Sequence, residues 1–519
     1  MIAAHAPLLR LPYFWDEAGY YIPAARDLLS GSLIPYSTPS NAHPPLVLAW
    51  LSLCWKIVGY RTVVTRCAML LLAAFSLLGF FRFARTVSNR AVAIASTLLT
   101  AIYPVWFTQS SMALIDLPAA GLLFWGLEAY YRRRRMLSAC WFSIAVLGKE
   151  TAVLVPIALL CWELLAMRMR RSPSDEQLSM RFAALLFPLV PLAVWYSYHF
   201  ARTGFVFGNA EFFRYNVQAT LHPLRVLLAL LLRLWQTLGY LNVYLLTLAC
   251  VLAMRQPPIE ERACARCRID LDIQFSFLTV IVIYLIAVSV IGGAVLARYL
   301  LPIVPLVILV CVSTIWRRIR LWKAVLAIVG AAFVAALFVN PPYGFSPEDN
   351  LAYRDYIRMH ENACAFLQQR YAHARVLTAW PASDELTHPY LGYVSNAMQV
   401  VRVEDFSSDV ISGAADLNAR YDVAFLFSTK YEPPASLFDR WALWQRWKSQ
   451  YFGYHRDLPP ESAAAVLGGT IVYRESRRGQ WVAVIELQKI EQARMEQSAD
   501  RLKMAKVTRQ ANDRNVFSR

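Results

Sequence analysis

The sequence predicts a polytopic α-helical membrane protein with interface helices in its first outer loop and a small C-terminal α/β soluble domain. Three observations lead there. Hydrophobic residues make up 57% of the 519, with mean hydropathy +0.38, against roughly 45–50% apolar usage in an ordinary soluble domain. Apolar stretches of membrane-crossing length recur as far as residue 340. Lysine and arginine gather in short runs between them, so the net charge of +17 reads as a topology signal and not as a nucleic-acid surface.

A helix crosses the hydrocarbon layer with roughly 17–25 residues. Ten stretches are candidates: 63–82, 91–108, 112–131, 137–148, 151–167, 182–200, 238–254, 274–296, 299–316 and 321–339. The fourth is short and reads as broken or strongly tilted. Two more, 45–59 and 223–237, are short or carry Arg225 and Arg233, and read as helices lying in the interface. If residues 1–60 are outside, the runs FRFARTVSNR, Arg132 to Arg135, RMRR, the loop 255–272 and RRIR all fall inside, as the positive-inside rule requires. The same parity sends Asp16, Glu17, His43, Asp116, Lys149, Arg298 and the C-terminal region to the opposite face. In a bacterium that face is the periplasmic side of the inner membrane.

The opening MIAAHAPLLRLPYF is too short to span, is interrupted by His5 and Arg10, and lacks a signal-peptide layout. Either a spanning helix belongs ahead of Asp16 and the start of the chain lies too late, which is the favoured reading, or this terminus reaches the outer face without one. From PPYGFSPEDN at 341 the composition turns soluble. Helical spacing over 350–370 and 436–452 alternates with ARVLTAW, MQVVRV, DVAFLF, GTIVYRE and WVAVIEL, which predicts an α/β domain over 341–488. The tail 489–519, rich in Lys, Arg, Gln and Glu, reads as a solvated helix or as disordered. The domain shows no Gly-rich phosphate loop and no cluster of His and Cys ligands. Of nine cysteines, most lie in spans, and Cys264-Ala-Arg-Cys267 is a single C-x-x-C, read either as a weak zinc pattern or as two reduced thiols.

Chemistry concentrates on the outer side. Asp16 and Glu17 suit either a helix start or a general base toward a hydroxyl or amine. His43-Pro44-Pro45 gives a rigid start to a helix, and His43 can donate a hydrogen bond to a phosphate. Asp116 in SSMALIDLPAAG is either an N-cap or a second carboxylate that orients an acceptor or holds a cation. Lys149 is either a solvated turn residue or a cation awaiting an anionic partner. Arg298 interrupts about 40 nearly continuous apolar residues; it snorkels at a turn or grips a phosphate with its planar fork. Each has a plain structural explanation, but their shared level does not. An acid to activate an acceptor, with cations to hold a phosphate at the lipid surface, describes a transferase using a lipid-phosphate donor.

With these residues in hand, the chain resembles the polyprenyl-phosphate-sugar-dependent glycosyltransferases of the C superfamily, specifically the protein O-mannosyltransferase and bacterial aminoarabinose transferase family. The resemblance rests on WDEAGYY, HPPLVLAW, SSMALIDLPAAG, LGKETAVLVP and RYLLPIVPL in that order, over residues 12 to 340. It implies transfer of a sugar from a polyprenyl-phosphate donor to a protein, lipid or glycan acceptor on the outer face, with inversion. Asp16 would be the catalytic base and Glu17 its acceptor-positioning neighbour. His43, where some relatives carry lysine, would bind the donor phosphate together with Lys149 and Arg298. No cofactor is required, and a divalent metal between carboxylate and phosphate is allowed. The departure is the membrane helix that family members carry before the acidic pair. Two rivals share the spans: a lipid or sugar transporter, which would tend to show internal repeats, and a membrane anchor for the α/β domain.

Overall fold

The computed structural model describes residues 1–169, 175–210, 213–214, 217–261, 264–416, 420–433 and 441–488. The expected tail 489–519, the end of RMRR and the start of the 436–452 stretch lie outside the described residues. The chain forms two compact units, Met1–Arg354 with Pro433–Tyr454, and Asp355–Glu432 with His455–Arg519.

The first unit is helical. Among the described residues, five of its helices are long and apolar enough to cross a membrane: Thr62–Val87, Glu150–Arg168, Ser179–Thr203, Pro223–Met254 and Leu271–Val290. Leu46–Val58, Arg90–Ile102, Arg135–Gly148 and Trp322–Phe338 are shorter apolar helices. Several expected spans are interrupted for local reasons. The 91–108 stretch breaks at Tyr103 because Pro104 has no amide to donate and opens a new helix, Pro104–Gln109. In 112–131 the helix begins only at Asp116. In 299–316 a 3-10 turn, Ala297–Leu300, precedes the helix Val304–Arg318, with Pro305 in its first turn. The run from 223 to 254, expected as an interface helix and then a span, is divided where Leu241 and Asn242 take positive φ.

Close helix packing centres on Gly121. A Cβ there would lie 1.8 Å from Ser76 Oγ and 2.8 Å from Ser76 Cα, so only glycine lets Asp116–Tyr131 approach Thr62–Val87 this closely. Small residues at such contacts are what van der Waals packing between apolar helices requires. Phe80, Phe83 and Phe124 fill the space below, with the Phe80 and Phe124 rings 4.9 Å apart.

The second unit carries a five-stranded mixed sheet in the order Gln399–Val403, Arg375–Ala379, Val423–Phe427, Gln480–Leu487, Gly469–Arg477. The five β-rich runs of the sequence all become these strands. The first three pair in parallel and the last two antiparallel. Val423–Phe427 is buried along its whole length, which is why it reads as a continuous apolar run without alternation. The final hairpin turns through Arg478 and Gly479, both with positive φ, the backbone a tight two-residue hairpin demands.

Candidate active site

Asp16 and Glu17 are adjacent but face opposite surroundings. Trp15 takes φ 45°, a conformation uncommon outside glycine, and leads into the wide turn Glu17–Tyr21 and the helix Ile22–Leu29. Glu17 is fully buried. Its carboxylate accepts the amides of Phe14 at 2.9 Å and Ala113 at 2.5 Å. It also accepts both terminal nitrogens of Arg66, Nη2 at 3.1 Å. Arg66 in turn donates to the carbonyls of Pro12 at 2.8 Å and Ser111 at 3.0 Å. Glu17 is therefore enclosed by its own partners, which tie the turn to Arg66 and to the Ala113 segment. Asp16, by contrast, keeps its carboxylate 21% exposed and accepts Arg298 Nη2.

Arg298 is the hub. It is 2% exposed, and its guanidinium meets three acids: Asp16 at Nη2, Glu348 at Nη1, and Asp116 Oδ2 at 3.4 Å from Nε. Asp116 starts the helix Asp116–Tyr131, and its other oxygen accepts Lys149 Nζ. Lys149 follows the helix Arg135–Gly148 in extended conformation, with Nζ 4.2 Å from the centre of the Tyr299 ring, a cation–π distance. Asp16, Arg298, Asp116 and Lys149 thus form one connected chain of ion pairs. His43 stands beside it, its Nδ1 2.8 Å from Glu150 Oε2. His43 lines a cleft with Tyr20, Tyr21, Thr38, Asn41 and Ile115. A second small cavity is lined by Asp116, Lys149, Thr151, Tyr284 and Pro302.

The turn carrying Arg298 is itself pinned. Arg225 and Arg233, expected as charges on an interface helix, are 2% and 0% exposed. Arg225 donates to Gly292 O at 2.6 Å and Gly293 O at 3.1 Å. Arg233 donates to Leu296 O at 2.5 Å, and Gln236 Nε2 to Val295 O at 2.9 Å. Their spacing puts all three on one helix face, and the correction is physical: a non-helical loop inside a helical membrane unit must have its carbonyls satisfied by the protein.

Glu348 and Asp349 were not singled out from the sequence. They sit in the turn Pro347–Asp349 and are 3% and 1% exposed. Thr108 Oγ1 donates to the Glu348 carbonyl at 2.6 Å, and Tyr240 donates to Asp349 Oδ2 at 2.6 Å. Burial pushes the Glu348 carboxyl up to about 8, against the pull of Arg298 and with the help of Asp349, Asp16 and Asp116. Burial likewise lifts Asp349 to about 7, against the Tyr240 hydrogen bond and Arg298. Two adjacent buried carboxyls cannot both ionise cheaply beside one guanidinium that Asp16 also claims. Burial alone would lower the Arg298 pKa, but Glu348 and Asp16 more than offset that and hold it well above its ordinary value. The same contest at Lys149 is won by Asp116, which keeps the ammonium charged.

Among the described residues no group of three or more His, Cys, Asp or Glu could hold a metal. A divalent cation between carboxylate and phosphate would compete with Arg298 and Lys149 for Asp16 and Asp116. As for the C-x-x-C motif, the strand Cys264–Ala265 pairs with Glu260–Glu261.

Residues 42–196 match the family model of dolichyl-phosphate-mannose-protein mannosyltransferases, a span that holds His43, Asp116 and Lys149 but neither Asp16 nor Arg298. No curated protein matches the chain by sequence. The fold is similar to that of ArnT from Cupriavidus metallidurans bound to undecaprenyl phosphate: TM-score 0.50 and 13% identity, covering 93% of this chain and 97% of that one. A looser likeness, TM-score 0.45 and 10% identity over 91% of this chain and 70% of the other, is to the archaeal oligosaccharyltransferase AglB from Archaeoglobus fulgidus in complex with an inhibitory peptide and a dolichol-phosphate. The similarity to the ArnT structure is one of fold, and nearly a third of the chain carries the sequence pattern of the dolichyl-phosphate-mannose-protein mannosyltransferase family.

Proposed function

We propose that this chain, an integral membrane protein with a C-superfamily glycosyltransferase fold, moves a sugar from a polyprenyl-phosphate donor to an acceptor, by single displacement with inversion, on the periplasmic face of a bacterial inner membrane. The observation that carries the reading is the ion-pair chain Asp16–Arg298–Asp116–Lys149, whose first link joins residues 282 positions apart. The matched family and the undecaprenyl phosphate named for the similar ArnT structure support the choice of donor.

In this reaction the acceptor oxygen or nitrogen forms a bond to the anomeric carbon as the bond to the phosphate oxygen breaks. Asp16, on the partly open side of the turn, takes the acceptor proton. Arg298 and Lys149 neutralise the charge growing on the departing polyprenyl phosphate, the kind of fixed electrostatic help that acts where charge develops. In the resting chain Arg298 is engaged by Asp16. Asp116 keeps Lys149 and Arg298 in register, His43 adds a hydrogen-bond donor to the phosphate, and Glu17 with Arg66 fixes the turn that aims Asp16. Protein, lipid and glycan acceptors all carry a suitable hydroxyl or amine.

The test is transfer from purified polyprenyl-phosphate sugars by the wild type and Asp16→Asn. Loss of a general base costs about 10²–10⁴-fold in rate. The variant should lose turnover to that extent while still binding polyprenyl phosphate; a variant that turns over at the wild-type rate removes Asp16 from the chemistry.

A further inference from the structure

The cluster around Arg298 has too many acids to receive an anion. Arg298, Lys149 and the nearby Arg233, whose guanidinium is occupied by loop carbonyls, supply three positive charges. Asp16, Asp116, Glu348 and Asp349 supply four negative charges if all are ionised, before any phosphate arrives. All but Asp16 are at least nine-tenths buried, where an uncompensated charge is costly. Arg298 also has no idle end: one terminal nitrogen holds Asp16 and the other Glu348. A phosphate must therefore displace one of the two acids, and Asp16 is the one the reaction needs as an ionised base.

We propose that Glu348 gives up Arg298 to the donor phosphate and carries a proton while the phosphate is bound, so that donor binding is coupled to a protonated Glu348. This rests on the reading of the site given above and names Glu348 as a positioning residue acting through Arg298. The surroundings agree. Glu348 Oε1 and Asp349 Oδ1 are buried and accept no hydrogen bond from any described residue, so a proton has room on either carboxyl. The elements packed on Glu348 bring Arg298, Asp16 and Asp116 to it, and beside it Asp349 faces Tyr240, Tyr103, Tyr343 and Arg233. From the helix Pro104–Gln109 the Thr108 hydroxyl donates to the Glu348 backbone carbonyl. Among the cations named, Arg298 alone is in salt-bridge contact with Glu348.

The experiment measures affinity for polyprenyl monophosphate, with the full-length protein in lipid nanodiscs, between about pH 7.5 and 9.5, above the second ionisation of a phosphate monoester near 6. Wild-type affinity should hold up to about pH 8 and then fall by up to about tenfold per pH unit, the slope that one coupled proton dictates. Glu348→Gln, permanently neutral at that carboxyl, should bind at least as tightly and without that slope. Calorimetry of the wild type in two buffers of different ionisation heat should count close to one proton taken up near pH 9, which tests the idea even if the variant fails to fold. Wild-type binding that is flat with pH, an unchanged slope in Glu348→Gln, or zero protons counted would each overturn the proposal while leaving the transferase reading intact. No binding of polyprenyl phosphate at any pH would bring down both.

Discussion

Glu17→Gln and Arg66→Met separate the two jobs of the adjacent acids. The Glu17–Arg66 pair is 0% and 1% exposed at its side chains, and the carboxylate also holds the amides of Phe14 and Ala113. Removing one member of a buried pair strands the other and typically costs about 3–5 kcal/mol. For Arg66→Met the stranded group is a carboxylate with two amide donors left, so the lower end, about 3 kcal/mol, is expected. For Glu17→Gln the amide keeps one acceptor oxygen but strands Arg66, which retains the carbonyls of Pro12 and Ser111, and a similar figure holds. The double variant removes both charges and should recover most of the loss, because a neutral pair of similar volume is close to break-even. The assay is thermal unfolding of the purified protein in nanodiscs, read from intrinsic fluorescence, for the two single variants and the double. Both singles should melt clearly below wild type, and the double should melt above either. The surviving folded fraction of each should still bind polyprenyl phosphate as tightly as wild type, unlike a variant that removes the cation of Arg298 or Lys149. Single variants that melt with the wild type, or a double that is worse than the sum of the singles, would refute the account of Glu17 as the anchor of the turn.

Three further outcomes are expected. Lys149→Met removes a charge-assisted hydrogen bond of roughly 1.5–3 kcal/mol, so it should weaken donor binding about 10- to 100-fold in a titration with polyprenyl phosphate; unchanged affinity would take Lys149 out of the phosphate site. Glu348 and Asp349 have folded-state values raised from 4.5 to about 8 and from 3.8 to about 7, so above their unfolded values the folded chain binds the extra proton. Stability should be highest near the unfolded values and decline as pH rises through 7 and 8, and melting scans of wild type against Glu348→Gln should show that decline reduced in the variant. Arg233→Met leaves the carbonyls of Ala294 and Leu296 without their donor. Amide exchange over residues 291–297 should then speed up while the helix Val304–Arg318 stays protected, with turnover falling in parallel; equal exchange in both proteins would mean the loop is held by other contacts.

Legibility followed range of interaction. Asp116 and Lys149 stood out because each is a charge set against an apolar helix end, a contrast visible within a dozen residues, and Arg298 stood out because it interrupts a long apolar run. Glu348 and Asp349 were hidden because they follow a proline in a segment that already looks soluble, where acids are ordinary. Nothing local announces that Pro347–Asp349 folds back beneath Arg298. Arg225 and Arg233 misled for the opposite reason: charges on a short amphipathic helix read as interfacial, and only the carbonyls of 292–296 in space reveal them as internal donors.

The chain's own letters determined its class and its strands. Apolar length, the sidedness of lysine and arginine, and the β-rich runs after 341 are local or additive signals, and they survive any arrangement of the helices. What only the tertiary structure decided is which charge meets which. Glu17 goes to Arg66 and Asp16 to Arg298, both on the turn that opens after the left-handed Trp15, and the cations thought to await a phosphate already hold carboxylates. Ion pairing in a buried site depends on distances of a few ångströms between segments that lie 33 to 282 residues apart, and spacing along the chain carries no record of those distances.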